Sequence, residues 1–424
     1  MIPGHRPSWS SKRCRSDPVR LEVLRRNRGF GRLIAGQIPS DAADWLAYVA
    51  MTTLLAFEWQ APTVAFAWFA VALGAPYLTV GLVAGALVDR LPLKAVLVGS
   101  NLARALVFAA MTLAQDWVTL LVLLAVGQSV DSFFSPAKQA ALQGLVRRED
   151  RMGANGISYA INQTSKIAAP AAGGALLAVL EPGAVFWVTA AVSLLAVPPL
   201  LALPGLERKA PKGDATLGIA RDVAEGLRIV GRSVPLRLAL GLTAAGFFSI
   251  FLYDTLIAPL LRDIGFDEVV MGWTMAAVGG GGVLGALLMT RLTAQPFRLI
   301  AFGAIGSGLL LMAPALAELT GRGIDLAVLL GVFVLAGITS SAMLVPPRVV
   351  IQNETDESAI ARVSSVMEAA NMLALLTAPF VGAWLAGAIS SGAAFVAGAA
   401  LKLVLGVVAL RAAMRLGGGQ TAEG

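Results

Sequence analysis

Gly85-Ala86-Leu87-Val88-Asp89-Arg90-Leu91-Pro92-Leu93-Lys94 decides how this chain folds. It separates two apolar runs, residues 63–88 and 95–115, and each is long enough to cross a bilayer, which takes about 20 helical residues. So short a connection makes the two helices antiparallel neighbours. Asp89 and Arg90 must lie at a membrane surface, because at mid-bilayer each would cost about 3 kcal/mol or more.

Composition supports the same reading. The chain is 57% hydrophobic and only 14% charged, with a mean hydropathy of +0.75. Soluble domains carry about 25% charged residues, so an integral membrane protein is expected. A net charge of +7 would suit nucleic acid, but the basic residues are not interleaved with aromatics and form no soluble domain. No nucleic-acid partner is expected. Histidine and cysteine occur once each, as His5 and Cys14. No metal centre, disulfide or Cys/His nucleophile can be assembled from them, so neither a cofactor nor an enzymatic activity is expected. The first 32 residues hold nine Lys/Arg against two acids. They lack the apolar core and small-residue cleavage site of a signal peptide and read as a basic cytoplasmic arm that touches lipid.

Further apolar runs fall near 30–56, 117–138, 153–180, 183–203, 236–261, 269–290, 296–317, 325–347, 361–388 and 392–414, giving about twelve spans. Alternate loops then share a side, and Lys/Arg counts test the arrangement. Of 33 basic residues, Arg262 and Arg322 alone fall in loops on the outer side. Arg104, Lys138, Lys166 and Lys402 lie within or at the ends of spans, and all the others gather on one side. By the positive-inside rule both termini are cytoplasmic. The polar stretch 204–235 divides the chain. In it Ile219, Val223, Leu227 and Val230 recur at helical spacing, as in a helix lying on the membrane surface.

An internal repeat carries the architecture. Gly36 and Asp44 recur as Gly246 and Asp254, and Pro136-Ala137-Lys138 as Pro346-Pro347-Arg348, both at an offset of 210. Ala169-Pro170-x-x-Gly173 recurs as Ala378-Pro379-x-x-Gly382, carrying Asn162 onto Asn371. Gly85-Ala86-Leu87 recurs as Gly285-Ala286-Leu287. Several matches in one order point to an all-α membrane protein of two six-helix bundles, related by a pseudo-two-fold axis along the membrane normal. The expected divisions are a tail (1–29), a bundle (30–206), a linker (207–234), a second bundle (235–416) and a tail (417–424).

Polar residues inside the spans mark a shared cavity. Gln37, Asp41, Asp44 and Tyr48 fall on one helix face, as do Gln128, Asp131, Ser132 and Ser135 in span four. Tyr159, Asn162 and Lys166 do so in span five, and Ser364, Glu368 and Asn371 in span eleven. Asp254 stands beside Tyr253 in span seven. Such stripes face a bundle interior or water rather than lipid. Lys166 is expected to neutralise one of the acids of the first half. Asp131 either joins the cavity or pairs with Arg90, and Arg104 either touches substrate or pairs with Asp89. Lys402 is given no place by the sequence, a snorkelling residue being one option. A carboxylate in a dry cavity takes up a proton more readily than one in water, as proton coupling requires. Glu368, Asp44 and Asp254 are the candidates. Pro39, Pro76, Pro170, Pro259, Pro314 and Pro379 are expected to interrupt helices, and Gly279-Gly280-Gly281-Gly282 to serve close helix packing.

Gly85, Leu87, Asp89, Arg90 and Lys94 resemble the signature loop between spans two and three of the major facilitator superfamily. Gly36-Gln37 with Asp44-Trp45, Phe133 to Ala140, Ala154-Asn155 and Pro346-Pro347-Arg348 with Arg362-Val363-Ser364 are similar to its drug–proton antiporters, the branch of macrolide-efflux proteins and enterobactin exporters. Ala169-Pro170-Ala171-Ala172-Gly173-Gly174 resembles the antiporter motif of span five, with Pro170, Gly173 and Gly174 as its helix-bending residues. Ala43 and Ala169 replace usual glycines, and span four lacks an arginine common in that branch. The resemblance implies a stand-alone monomer of the bacterial inner membrane that exports small amphipathic substrates by alternating access, with protons as coupling ion. Gly85, Asp89, Arg90 and Lys94 would form its cytoplasmic gate. Ser135-Pro136-Ala137-Lys138 also resembles lysophospholipid carriers, the alternative within the fold. A non-transporting membrane sensor or scaffold is the alternative outside it.

Overall fold

The computed structural model describes residues 27–205, 219–289, 291–292, 295–355 and 359–418. His5, Cys14, nearly all of the basic arm, the first part of the linker and residues 419–424 lie outside the described residues. The helices of the first half are α1 (Arg28–Thr53), α2 (Thr63–Val88), α3 (Leu93–Met111), α4 (Trp117–Leu145), α5 (Arg151–Leu177), α6 (Pro182–Leu195) and α7 (Val197–Leu201). Then follow α8 (Ile219–Arg232), α9 (Val234–Phe251), α10 (Ile257–Ile264), α11 (Glu268–Met289), α12 (Pro296–Thr320), α13 (Leu326–Leu344), α14 (Pro346–Glu354), α15 (Ile360–Ala388) and α16 (Ser391–Gly418).

Short polar side chains start several of these helices at the membrane surface, where free backbone N–H groups need acceptors. Asn27 accepts from the Phe30 N–H at 3.0 Å, and Asp325 from the Ala327 N–H at 2.8 Å. Asp116 accepts from the Thr119 N–H and hydroxyl, bonds that hold its carboxyl below the ordinary carboxylate range.

Among the described residues, ten segments are long and apolar enough to cross a membrane. α1 and α5, of 26 and 27 residues, are as long but carry polar stripes. They complete the twelve, with α6–α7, α9–α10 and α13–α14 each forming one broken span. Two of these breaks fall at Pro198-Pro199 and Pro346-Pro347, where consecutive N–H groups are missing. Single prolines behave otherwise than expected. Pro39, Pro76, Pro136, Pro170, Pro314 and Pro379 lie inside continuous helices, since one lost bond is tolerated. Of the expected interruptions only that near Pro259 exists, as a 3-10 turn at Asp254–Leu256.

The repeat read from sequence is also a repeat of packing. α1 packs on α5 and α6, α3 on α4 and α6, and α2 on α4. In the same span order α9 packs on α15 and α16, α12 on α13 and α16, and α11 on α13. The glycine run packs as expected. A Cβ at Gly281 would overlap the Val334 carbonyl, and one at Gly337 that of Val278, so α11 and α13 touch backbone to backbone.

The halves meet along two seams, α2–α15 and α5–α11. Call the face bearing Arg90, Lys94, Arg151 and Arg237 the basic face, and its opposite the far face. The close contacts lie toward the far face. Thr63 donates to the Ala383 carbonyl at 2.9 Å, Trp68 meets Phe380 edge-on at 5.3 Å, and Gly174 abuts Gly272. Arg262 of α10 donates to the Ala56 carbonyl beyond α1, at 2.8 Å. Toward the basic face α2, α4 and α5 border open space. Tyr77, Gly81, Gly85, Asn155 and Tyr159 line an opening of about 800 Å³.

The linker helix departs from expectation. From Glu225 to Val230 it docks on the start of α15, which buries Val230 but leaves Leu227 of the apolar stripe exposed. Glu225 pairs with Arg362 at 3.0 Å, Gly226 abuts the Arg362 carbonyl, and Val230 is buried with Leu236, Ile351, Val363 and Met367. The side chains of Ile219 and Val223 lie outside the described residues. Gly226→Val overfills this contact by about 1–3 kcal/mol. Tryptic cleavage after Arg228 and Arg232 should then quicken about tenfold, the ratio for about 1.4 kcal/mol of opening free energy. Unchanged cleavage would mean that α8 is held elsewhere.

Candidate functional site

Between the halves lies a cavity of about 430 Å³. One face of α1 lines it because Asp41, Asp44 and Tyr48 recur at helical spacing. α3 contributes Arg104, α4 Asp131 and Lys138, and α5 Asn162 and Lys166. The second half supplies Phe251, Asp254 and Leu375.

Arg104 organises the first half. It is 1% exposed, and its planar fork of donors suits bridging several acceptors. It forms an ion pair with Asp44, reaches Asp131 at 3.2 Å, and donates to the Ser40 hydroxyl at 2.9 Å and carbonyl at 3.1 Å. The other oxygen of Asp131 accepts from the Tyr77 hydroxyl at 2.5 Å. A second cluster surrounds Asp41, which accepts from Gln37 at 2.9 Å and Asn162 at 3.3 Å and faces Lys138 at 3.8 Å. Gln37 exchanges hydrogen bonds with the Ser158 carbonyl and hydroxyl, tying α1 to α5. Five helices are thereby cross-linked around three carboxylates.

Asp131 and Arg104 both line the cavity, which leaves their alternative partners unused, and one expectation is corrected. Asp131 pairs with Arg104 and Tyr77, not Arg90. Arg104 belongs to Asp44 and Asp131, not Asp89. Lys166 is within reach of the charge of Asp41 but makes no hydrogen bond or ion pair among the described residues, and its Nζ stands 5.7 Å from the Trp45 ring centre. Arg104 and Lys138 take the neutralising role instead. The partners of Arg104 were hard to assign because it is the one charged residue between Ala95 and Gln115, with no acid on its own span to claim it. The usable signal was stoichiometric, since three buried acids require cations.

The second half is built differently. Asp254 lies on the turn between α9 and α10 and faces the cavity. Among the described residues its carboxylate makes no hydrogen bond or ion pair. Behind it, Lys402 of α16 is fully buried rather than snorkelling, and donates to the Tyr253 hydroxyl at 2.8 Å. Its charge is the one that acts on Asp254. The acids at 44 and 254 thus match across the repeat, while their cations come from non-equivalent spans.

Glu368 is not among the residues that line the cavity. It is exposed on α15, on the same helix face as the cavity-lining Leu375 and opposite the exposed Leu373, Val381 and Trp384. Near it, Asn371 buries a side-chain oxygen that has no partner among the described residues. Of the loop residues, Gly85 lines the opening, Asp89 caps α2, Arg90 is exposed, and Lys94 donates to the Leu203 carbonyl at 3.2 Å. Gly173 packs on Leu46 and Val49 of α1, and Pro170 and Gly174 on Gly272 of α11, so this motif forms part of the far-face seam.

Comparison with known proteins agrees with this architecture. A family model described as Major Facilitator Superfamily matches residues 33–321. A Bacillus subtilis (strain 168) protein described as an uncharacterized MFS-type transporter, YfiS, is 29% identical over 92% of this chain and 94% of its own. The multidrug efflux pump Tap of Mycolicibacterium fortuitum is 32% identical over 50% of this chain and 54% of its own. Among solved structures, peptide transporter POT superposes with a TM-score of 0.72 at 15% identity, over 92% of this chain and 95% of that one. A bacterial homologue of the lysosomal transporter Spinster, in an inward-facing and unoccupied conformation, gives 0.65 at 16% identity, over 94% and 96%. At such identities these likenesses speak for the fold alone.

Proposed function

Since the chain belongs to the Major Facilitator Superfamily of membrane transporters, we propose that it is a proton-coupled exporter of small amphipathic molecules that works by alternating access. The observation that carries this reading is the cavity. Both halves line it with ionisable groups, and it is closed at the far face and open at the basic face. The Lys/Arg bias supports a cytoplasmic basic face; in this reading the protein lies in the inner membrane of a bacterium with both termini inside. A solute then enters from the cytoplasm and leaves once the far-face seams part. Likeness over about half its length to a protein named a multidrug efflux pump supports the outward direction. The protein acts as a monomer within the bilayer.

Proton and solute drive the cycle only through their unequal affinities for the two arrangements. Asp254, Asp44 and Glu368 are the coupling groups of this reading. Asp131, Asn162, Lys166 and Asn371 shape the solute site with Asp41. Gly85, Asp89, Arg90 and Lys94 close the basic face when the far face opens.

Proteoliposomes with the basic face outward and an acidic lumen test the reading. An amphipathic dye should accumulate about tenfold per pH unit at one proton per solute, because one unit is about 1.36 kcal/mol. Asp254→Asn should abolish the dependence on the gradient while leaving downhill flux. Gradient dependence retained in Asp254→Asn, Asp44→Asn and Glu368→Gln alike would refute coupling through these carboxylates.

A further inference from the structure

We propose that the cavity selects zwitterions: solutes that carry one positive and one negative group on an apolar body that bears a ring. The inference rests on the carrier reading above and names its substrate class. It follows from which charges are already in contact with a partner.

In the first half, Asp41, Asp44 and Asp131 stand against Arg104, Lys138 and Lys166; in the second, Asp254 stands against Lys402. Acids and bases therefore balance within each half. A solute of net charge would bring an uncompensated charge between walls that already balance, and once the basic face closes over it that charge is cut off from bulk water, which is costly. A zwitterion keeps the balance.

The contacts then say where its two ends would lie. Arg104 is held by Asp44, Asp131 and Ser40, and Lys138 by Asp41. Lys402 is buried behind the wall on Tyr253. Two cavity-lining groups remain with no hydrogen bond or ion pair among the described residues, Lys166 and Asp254. They are of opposite sign and belong to opposite halves. Lys166 offers an ammonium donor to a carboxylate or phosphate, and Asp254 offers an acceptor to an ammonium. Trp45, Tyr48 and Phe251 line the same space and suit a ring or chain. About 430 Å³ is the size of a pocket for a drug-sized solute. A ligand that spans the two groups also bridges the halves, which lets its binding bias their arrangement.

A matched series on one body tests this: O-hexyltyrosine (zwitterion), its methyl ester (cation), its N-acetyl derivative (anion) and the N-acetyl methyl ester (neutral). Binding to the full chain in detergent is measured by calorimetry at neutral pH. The zwitterion should bind about tenfold more tightly than each of the others, as expected for one more hydrogen-bonded charge contact. Lys166→Gln should erase its advantage over the methyl ester, and Asp254→Asn its advantage over the N-acetyl derivative. Lys166→Arg and Asp254→Glu should preserve both preferences, which separates charge from packing. Tightest binding by the cation, or equal binding by all four, overturns the zwitterion assignment and leaves the carrier reading standing. Binding by none of the four overturns the amphipathic-solute reading together with it.

Discussion

Arg104→Gln should lower the stability of the purified protein by about 3–5 kcal/mol, the usual penalty for breaking a buried ion pair from one side. The variant leaves Asp44 and Asp131 facing each other without their cation, and the Ser40 carbonyl without a donor. Glutamine is shorter and offers two N–H groups where the guanidinium offers five, so it cannot restore the bridge. Neutralising both acids in the same chain, Asp44→Asn with Asp131→Asn, should recover most of the loss. The singly substituted acids should be milder, because each leaves the arginine with one carboxylate. Thermal unfolding in detergent reads all of these. Additive losses in the triple variant would show that Arg104 acts by packing on Phe108 and Phe134 rather than by charge.

Leucine at Gly272 and leucine at Gly281 should have opposite consequences, although both collide with backbone. A Cβ at Gly272 meets the Pro170 carbonyl and Gly174 across the α5–α11 seam, whereas one at Gly281 meets Val334 inside the second half. The first contact is one that an alternating-access cycle has to release. Gly272→Leu can therefore relieve its clash by opening the far face. Transport should be lost, a cysteine placed beside Thr63 should become reactive to an impermeant reagent from the far side, and stability should change little. Gly281→Leu has no such escape, and about 1–3 kcal/mol of stability should be lost through overpacking. Equal destabilisation by both would mean that the α5–α11 seam does not part.

These contrasts also mark how far the amino-acid sequence could be read. Span number and pairing were legible because apolar length and an ordered repeat are one-dimensional signals. The polar stripes of α1, α4 and α5 were legible for the same reason, since helical spacing puts Asp41 and Asp44 on one face. Partnership across helices was not. Arg104 meets Asp44 and Asp131 at sequence distances of 60 and 27 residues, and nothing in a span's own periodicity records its rotation about its axis. Lys166 was given a task that fell to Arg104 and Lys138 because charge alone does not reveal reach. Glu368 shares a helix face with the cavity-lining Leu375 yet does not itself line the cavity, because helical spacing gives a residue's direction and not its depth. The docking of α8 was missed for a related reason: an amphipathic face fits a neighbouring helix as well as it fits lipid.

Arg104 stands in the same bundle as both carboxylates it holds, and Lys402 in the same bundle as Asp254. Opposite charges fixed in one rigid body move side by side, so reorientation of the unloaded protein need not pull a buried pair apart. Taken with Asp41, Lys138 and Lys166, the charged set of the first half sums to zero, as does Asp254 with Lys402, so neither carries net charge through the electric field, where each unit charge is worth about 2.3 kcal/mol per 100 mV. Membrane voltage is thereby left to act on what the protein carries rather than on the walls that carry it.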